Sequence, residues 1–243
     1  MVEGLKLATQ FLTRLPVTLD RTPPPLAQVA GWFPVVGAGL GLIAGLVFAG
    51  LTLAGLPTLA AACVVLALLA LLTGALHEDG LADCADALGV RERGRRLEVM
   101  RDSRIGSFGA QALIFVTLAR FIGLSSLWDP WQQLTTLVVA AALSRGAIVA
   151  LWSFLPPARN DGLAAGRRPG PIAVALGLGL PAAAALVLLP PAVATSMLAL
   201  TVATLIVWGA VAKRAFGGQT GDVLGAGQQL CEAVMLLSLT VHR

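Results

Sequence analysis

The stretch "HEDGLADCADALG", residues 77 to 89, places Asp79, Asp83 and Asp86 at positions i, i+4 and i+7, so on a helix their carboxylates project from one face. Three like charges stacked there repel one another, and something cationic has to compensate. A hard divalent ion with oxygen ligands, Mg2+ foremost, is the chemistry such a face supports. A solvated helix end, neutralised by the arginines that follow in sequence, is the alternative. Glu78 points away from that face and is expected to be solvated, not ligating. His77 stands at the edge of the preceding apolar run. There it is either a satisfied interfacial side chain or a general base or phosphate donor.

The next polar stretch carries the opposite charge. In "MRDSRIGSFG", residues 100 to 109, Arg101 and Arg104 flank Asp102 and Ser103, and Gly106 and Gly109 permit close backbone approach. Guanidinium forks and the N–H groups at a helix N-terminus are what bind phosphate oxygens. Arg91, Arg93, Arg95 and Arg96 are too dense for all to be ligands, and most of them read as topology determinants or lipid headgroup contacts. A third stretch, "GGQTGD", combines Gly217, Gly218, Gln219, Thr220 and Asp222 ahead of the last apolar run. It lacks the Lys and the spacing of a P-loop, so nucleotide hydrolysis is not implied. Taken alone it is a loop before a helix; set opposite the acidic stretch it suggests a metal-bridged diphosphate held between the two. A fourth polar stretch is "ARNDGLAAGRRPG", residues 158 to 170. Arg120, Arg145 and Glu232 fall inside apolar runs, where each costs about 2.5 to 3.5 kcal/mol on insertion scales unless paired or hydrated. They are expected to face the bundle interior, with Arg145 either reaching a substrate phosphate or paired with Glu232.

The elements that must position these groups are membrane helices. The chain has 243 residues, 57% hydrophobic and 12% charged, against about 25% charged in an ordinary soluble protein. Apolar runs recur at 32–54, 57–76, 109–127, 134–155, 172–189, 192–212 and 223–241, each near the ~20 residues that a helix needs to cross the bilayer core. They do not alternate, and they are rich in Ala, Leu and Gly, which suits packed membrane helices and not strands. The predicted fold is all-α: a polytopic integral-membrane bundle of about seven transmembrane helices, one domain over residues 1–243. Its polar parts are an N-terminal segment (1–31), the acidic and basic stretch (77–108) and the loop at 213–222. Within the first part, "LKLATQFLTRLPV" reads as a short amphipathic helix at the membrane interface, stopped by Pro16. The first thirty residues hold no long apolar core and no small-residue cleavage site, which predicts insertion without cleavage.

Charge placement orients the bundle. The connections at 55–57, 128–131 and 190–191 contain no Lys or Arg, whereas the other side collects Lys6, Arg14, Arg21, the arginines from Arg91 to Arg104, Arg159, Arg167, Arg168, Lys213 and Arg214. The positive-inside rule makes that side cytoplasmic, and every polar stretch above maps to it. The net charge of +4 thus reflects topology; with no basic face interleaved with aromatics, nucleic acid is not a predicted partner. Cys63, Cys84 and Cys231 offer neither a disulfide framework nor a thiolate metal site.

Together with "FLTRLPV" at 11 to 17, "LSRGA" at 143 to 147 and "GGQTGDVLGA" at 217 to 226, these motifs resemble the cobalamin synthase family, adenosylcobinamide-GDP ribazoletransferase, nearly end to end. The resemblance implies a multi-pass inner-membrane enzyme acting late in the adenosylcobalamin pathway. Such an enzyme joins α-ribazole, or its 5'-phosphate, to adenosylcobinamide-GDP with release of GMP and a requirement for Mg2+. It further implies that Asp79, Asp83 and Asp86 hold Mg2+ on the diphosphate, that Arg101 and Arg104 neutralise developing charge, and that Asp222 holds a second ion or orients the attacking hydroxyl. Asp83, Asp222 and His77 are then the catalytic candidates. Arg101 to Arg104, Arg145 and Gly217 to Thr220 are the candidates for binding substrate. Two positions depart from the family pattern, Glu78 where Leu is usual and Ala87 where Gly is usual. The implied partners are membrane lipid and the small-molecule substrates; a homo-oligomer, or other enzymes of the pathway docked on the basic loops, are equally compatible. Read from residues alone, an intramembrane prenyltransferase or a CDP-alcohol phosphotransferase uses the same metal-diphosphate chemistry, and a transporter would use the intramembrane charges as a path.

Overall fold

A computed structural model describes residues 2–19, 22–159, 161 and 166–242. Arg21, Arg243, Asn160 and residues 162–165 of the fourth polar stretch lie outside the described residues. The helices are α1 (Val2–Leu12), α2 (Leu26–Val29), α3 (Phe33–Leu53), α4 (Thr58–Thr73), α5 (Leu76–Gly89), α6 (Arg96–Val99), α7 (Ser107–Ser125), α8 (Pro130–Phe154), α9 (Pro171–Leu188), α10 (Pro191–Phe216) and α11 (Gly221–Ser238). Among the described residues there is no strand, only an isolated parallel bridge between Pro157 and Gln219. Pro130, Pro171 and Pro191 open α8, α9 and α10, a position where the missing N–H has no intrahelical partner to lose. Asp129 caps α8 by accepting from the Gln132 N–H at 2.8 Å, and Thr220 caps α11 by accepting from the Val223 N–H at 3.2 Å.

Six segments are long and apolar enough to cross a membrane, and α4 and α5 meet the same test only when taken together, across a 90° bend. Leu46, Leu71, Phe115, Leu118, Val187 and Ile206 all point outward and are exposed, forming an apolar belt that lipid tolerates and water does not. α8 and α11 are the central helices and are mostly buried, while α9 and α10 are peripheral. The bundle expected from composition is therefore the bundle observed.

One expectation is corrected. The acidic stretch does not prolong the second span: α4 ends at Thr73, Gly74 and Ala75 take left-handed conformations at φ 64° and 54°, and the chain turns through 90° into α5. Gly74 adopts this geometry freely, whereas at Ala75 a Cβ resists it, so the turn is held by its surroundings. We read α4 as the crossing segment and α5 as lying across one end of the bundle, outside the spans.

That end is where the polar stretches converge. Around α5 stand the N-terminal end of α7, the C-terminal end of α8 and the N-terminal end of α11. α1 docks beside them through buried Gly4, Ala8 and Leu12. It stops at Leu12, four residues before Pro16, and the Arg14 N–H then donates to the Leu72 carbonyl at 2.7 Å, fastening the segment to the end of α4. At the opposite end, fully buried Gln133 donates to the Leu127 carbonyl and accepts from the Thr52 hydroxyl, both at 3.0 Å.

α3 and α8 meet backbone to backbone. Gly37, Gly41 and Gly45, four residues apart, face the backbone of Ala141, Leu137 and Leu134, and a Cβ on Gly41 would come within 2.7 Å of the Leu137 carbonyl carbon. Small residues at this spacing let two membrane helices touch along their backbones. Gly41→Val is expected to push α3 off α8 and destabilise the fold by about 1 to 3 kcal/mol. Thermal unfolding in detergent would show this as a lower midpoint, and an unchanged midpoint would mean that the contact is not close.

Candidate active site

The site is built where α5 crosses α11. A Cβ on Gly80 would lie 2.8 Å from the Asp222 carbonyl oxygen, and one on Gly225 would lie 3.2 Å from the His77 Cα. The glycines of "HEDG" and "DVLGA" thus bring the two polar stretches into contact. A second joint fixes the loop ahead of α11. The Gln219 N–H donates to the Pro156 carbonyl at 2.8 Å and the Ala158 N–H to the Gln219 carbonyl at 2.9 Å. Zipped this way, the segment after α8 delivers Arg159 to Asp222, with Nη2 and Oδ2 2.9 Å apart.

Between these elements lies a cavity of about 440 Å³, the size of a small-ligand site. His77, Asp79, Arg101, Arg159, Asp161 and Asp222 line its polar side, with Gln219 and Thr220. The Arg101 guanidinium pairs with Asp161. His77 is 3% exposed, and its Nδ1 has no hydrogen-bond partner among the described residues. Asp222 also accepts from the Thr220 hydroxyl at 3.3 Å.

Asp83, one turn along α5 from Asp79, is half-buried and feels the whole acidic group. Partial burial, and then the neighbouring carboxylates of Asp79, Asp222 and Asp86, raise its pKa to about 7, with Arg159 opposing. A carboxyl held this high is a place where positive charge is wanted. Asp86 is differently engaged: Oδ2 accepts from the Gly106 N–H at 2.7 Å and Oδ1 from the Gly109 N–H at 2.8 Å, capping α7. Among the described residues no three His, Cys, Asp or Glu side chains converge closely enough to hold a metal on their own. The donors present are hard carboxylate oxygens, and Mg2+ usually takes only one or two of these, completing its shell with water and substrate phosphate. The residues fit that ion.

The remaining predicted residues fall into two groups. Arg101, Gln219 and Thr220 line the cavity, whereas Asp102, Ser103, Arg104, Gly217 and Gly218 do not. Arg104 folds back on Asp102, at 3.0 and 2.7 Å, and these bonds hold the Asp102 carboxyl down at about 2. Arg145 does not reach the cavity either; it takes the structural role left open for it. Its Nη1 lies 2.5 Å from Glu232 Oε2. Arg120 donates to the other Glu232 oxygen at 2.7 Å, to Gln229 at 3.0 Å and to Glu78 at 3.2 Å. Ser144 and Gln228 complete the set, donating to Glu232 at 3.0 and 2.7 Å. Glu78 is therefore not solvated as expected: an intramembrane arginine has drawn it inward. Sequence reasoning also passed over Arg159 and Asp161 as site residues, although both stand in the fourth polar stretch on the same side as the others.

Fold and site together define a multi-pass helical membrane protein with an acid-lined, guanidinium-flanked cavity at one face. The Cobalamin-5-phosphate synthase family model matches residues 4–240, and the chain belongs to that family. It is similar to proteins named adenosylcobinamide-GDP ribazoletransferase. It is 43% identical to that of Azorhizobium caulinodans, covering 97% of this chain and 94% of the relative. It is 42% identical to that of Mesorhizobium japonicum, covering 99% and 94%, and 44% identical to that of Escherichia coli, covering 94% and 96%. No solved structure matches.

Two outcomes follow. Glu232→Ala leaves two buried guanidinium groups without their shared carboxylate and is expected to cost about 3 to 5 kcal/mol, read as loss of folded protein in detergent; a stable variant would mean the network is dispensable. Because the Asp83 pKa is raised in the fold, its contribution to stability is present at low pH and is lost as pH rises through about 7. Mg2+ at this site should therefore raise the thermal midpoint more at pH 8 than at pH 6. Equal shifts at the two pH values would remove Asp83 from the ion's surroundings.

Proposed function

We propose that this chain catalyses the reaction for which its relatives are named, joining α-ribazole or its 5'-phosphate to adenosylcobinamide-GDP with release of GMP. The observation that carries the reading is the meeting, in one cavity, of Asp79 and Asp222 with Arg101 and Arg159, in a chain whose family match runs almost end to end. Carboxylates and guanidinium groups side by side suit a substrate whose diphosphate is partly neutralised by a metal and partly by arginine.

Asp79 and Asp83 would hold Mg2+, with Asp222 facing them and Asp86 fixing the N-terminus of α7 alongside. When bound, the ion supplies Lewis-acid stabilisation of the diphosphate oxygens. The chain's own residues then do the following. Arg101 and Arg159 reach the phosphate oxygens and oppose the charge that builds as the bond to the departing nucleotide breaks. Asp222, steadied by Arg159 and Thr220, orients the ribazole hydroxyl for in-line displacement at the cobinamide-side phosphorus. The new P–O bond forms as the bridging P–O bond breaks, GMP leaves with the bridging oxygen, and the hydroxyl proton passes to a base in the cavity. Asp222, which lines the cavity and whose pKa burial raises, is the candidate for that base; burial, and then the Arg145 guanidinium, push the His77 ring down to about 3 and make it a poor one. No covalent enzyme intermediate is required.

The excess of Lys and Arg on the cavity side supports a cell inner membrane location with the active face in the cytoplasm. A transport path would need the intramembrane charges to line a passage; Arg120, Arg145 and Glu232 are instead paired with one another and at most 4% exposed. Asp83→Asn is expected to lower GMP release from adenosylcobinamide-GDP and α-ribazole by about a hundredfold or more, with the protein still folded in membranes. Full activity in that variant would remove the metal proposal.

A further inference from the structure

The cavity has a second side that the phosphate chemistry does not use. Phe11, Leu26, Leu76 and Met100 line it; Phe11 and Leu26 are partly exposed, and Leu76 is 40% exposed. Behind them the rings are stacked in tiers. The Phe11 and Phe33 centroids are 5.8 Å apart with the planes within 21°, and Phe33 lies 6.5 Å from Trp152. Phe33 and Trp152, at 0% and 2% exposure, are packed core. All three rings line the cavity, and Phe11 is the one that is partly exposed. It comes from α1, outside the spans, and it is held in place by the Arg14 tie to Leu72. An amphipathic helix needed only to rest on a membrane has no reason to be fastened over the mouth of a polar cavity.

We propose that Phe11 of α1, Leu26 of α2 and Leu76 of α5 form the wall of the acceptor subsite: they pack against the planar, largely apolar heteroaromatic base of the acceptor nucleoside, and its ribose turns toward His77, Asp79 and Asp222. The proposal rests on the transferase reading above and assigns one substrate to one side of the cavity. Guanine is a poor occupant, because its amide and amino edges would be buried against side chains that offer no hydrogen bonds. A corrin ring bears polar amide arms and is equally ill matched to this wall. A methylated benzimidazole fits it, since stacking on an aromatic ring and on branched apolar side chains is what it does best.

The test uses the full-length protein in detergent. Phe11→Ala is expected to raise the KM for α-ribazole about tenfold and to leave the KM for adenosylcobinamide-GDP within about twofold, with Phe11→Trp restoring the acceptor KM as the conservative variant. An increase confined to the corrinoid KM, or no increase in either, overturns the proposal while leaving the transferase reading intact. An arm on the wild-type protein covers failure of the variants to fold. Free 5,6-dimethylbenzimidazole should inhibit competitively against α-ribazole and not against the corrinoid, and the opposite pattern overturns the assignment. If the wild type released no GMP with any acceptor, the transferase reading would fall. Calorimetric binding of the free base would still decide the subsite, with binding to the wild type that is lost in Phe11→Ala supporting it and no binding to the wild type overturning it.

Discussion

Glu232 is the point on which the bundle turns. Its two oxygens take up guanidinium groups from α7 and α8, a hydroxyl from α8 and an amide from its own helix, and Arg120 extends the set to Glu78 of α5. In hydrocarbon such groups have no water to fall back on, so each depends on the others being in place. Four helices are thereby registered against one another at a single depth. The charges of this cluster act on His77, so the helices that frame the cavity are set in height and rotation by a polar network outside it, which packing alone would not supply.

At the cavity itself, two kinds of contact divide the labour. Glycine sets distance: Gly80 and Gly225 let α5 and α11 meet backbone to backbone, and without that approach Asp222 would stand away from Asp79 and Asp83. Hydrogen bonding sets direction, since the short pairing of 156–158 with 217–219 aims Arg159 at Asp222. The acidic group is thus compressed by packing and only partly neutralised, which leaves Asp83 with its raised pKa. Carboxylates gathered in this way favour a cationic partner.

The membrane bundle was legible from the sequence, because hydrophobic length and the placement of Lys and Arg are properties of single segments. Every apolar run became a helix, and the facing of "HEDGLADCADALG" by "GGQTGD" followed from assigning both to one side. The break at Gly74 and Ala75 was not legible: the residues around it are apolar and helix-compatible, and an alanine forced to positive φ leaves no mark in composition. The fate of Glu78 was equally hidden, since whether a carboxylate is solvated depends on which arginine the third dimension brings to it. Arg145 had two readings of equal standing, a phosphate ligand or a partner of Glu232, and only the packing of α8 on α11 chose between them. The zipper that carries Arg159 to the site joins segments about sixty residues apart and has no periodic signature at all.

The shortness of α4 has a geometric consequence for the membrane itself. Its 16 residues rise about 24 Å, less than the roughly 30 Å of hydrocarbon in a typical bilayer. Hydrophobic mismatch of this size is relieved by local thinning or by drawing polar groups inward. Thinning of that kind would bring the headgroup layer down toward the acidic helix that follows, and would shorten the path by which a charged ligand reaches it from water.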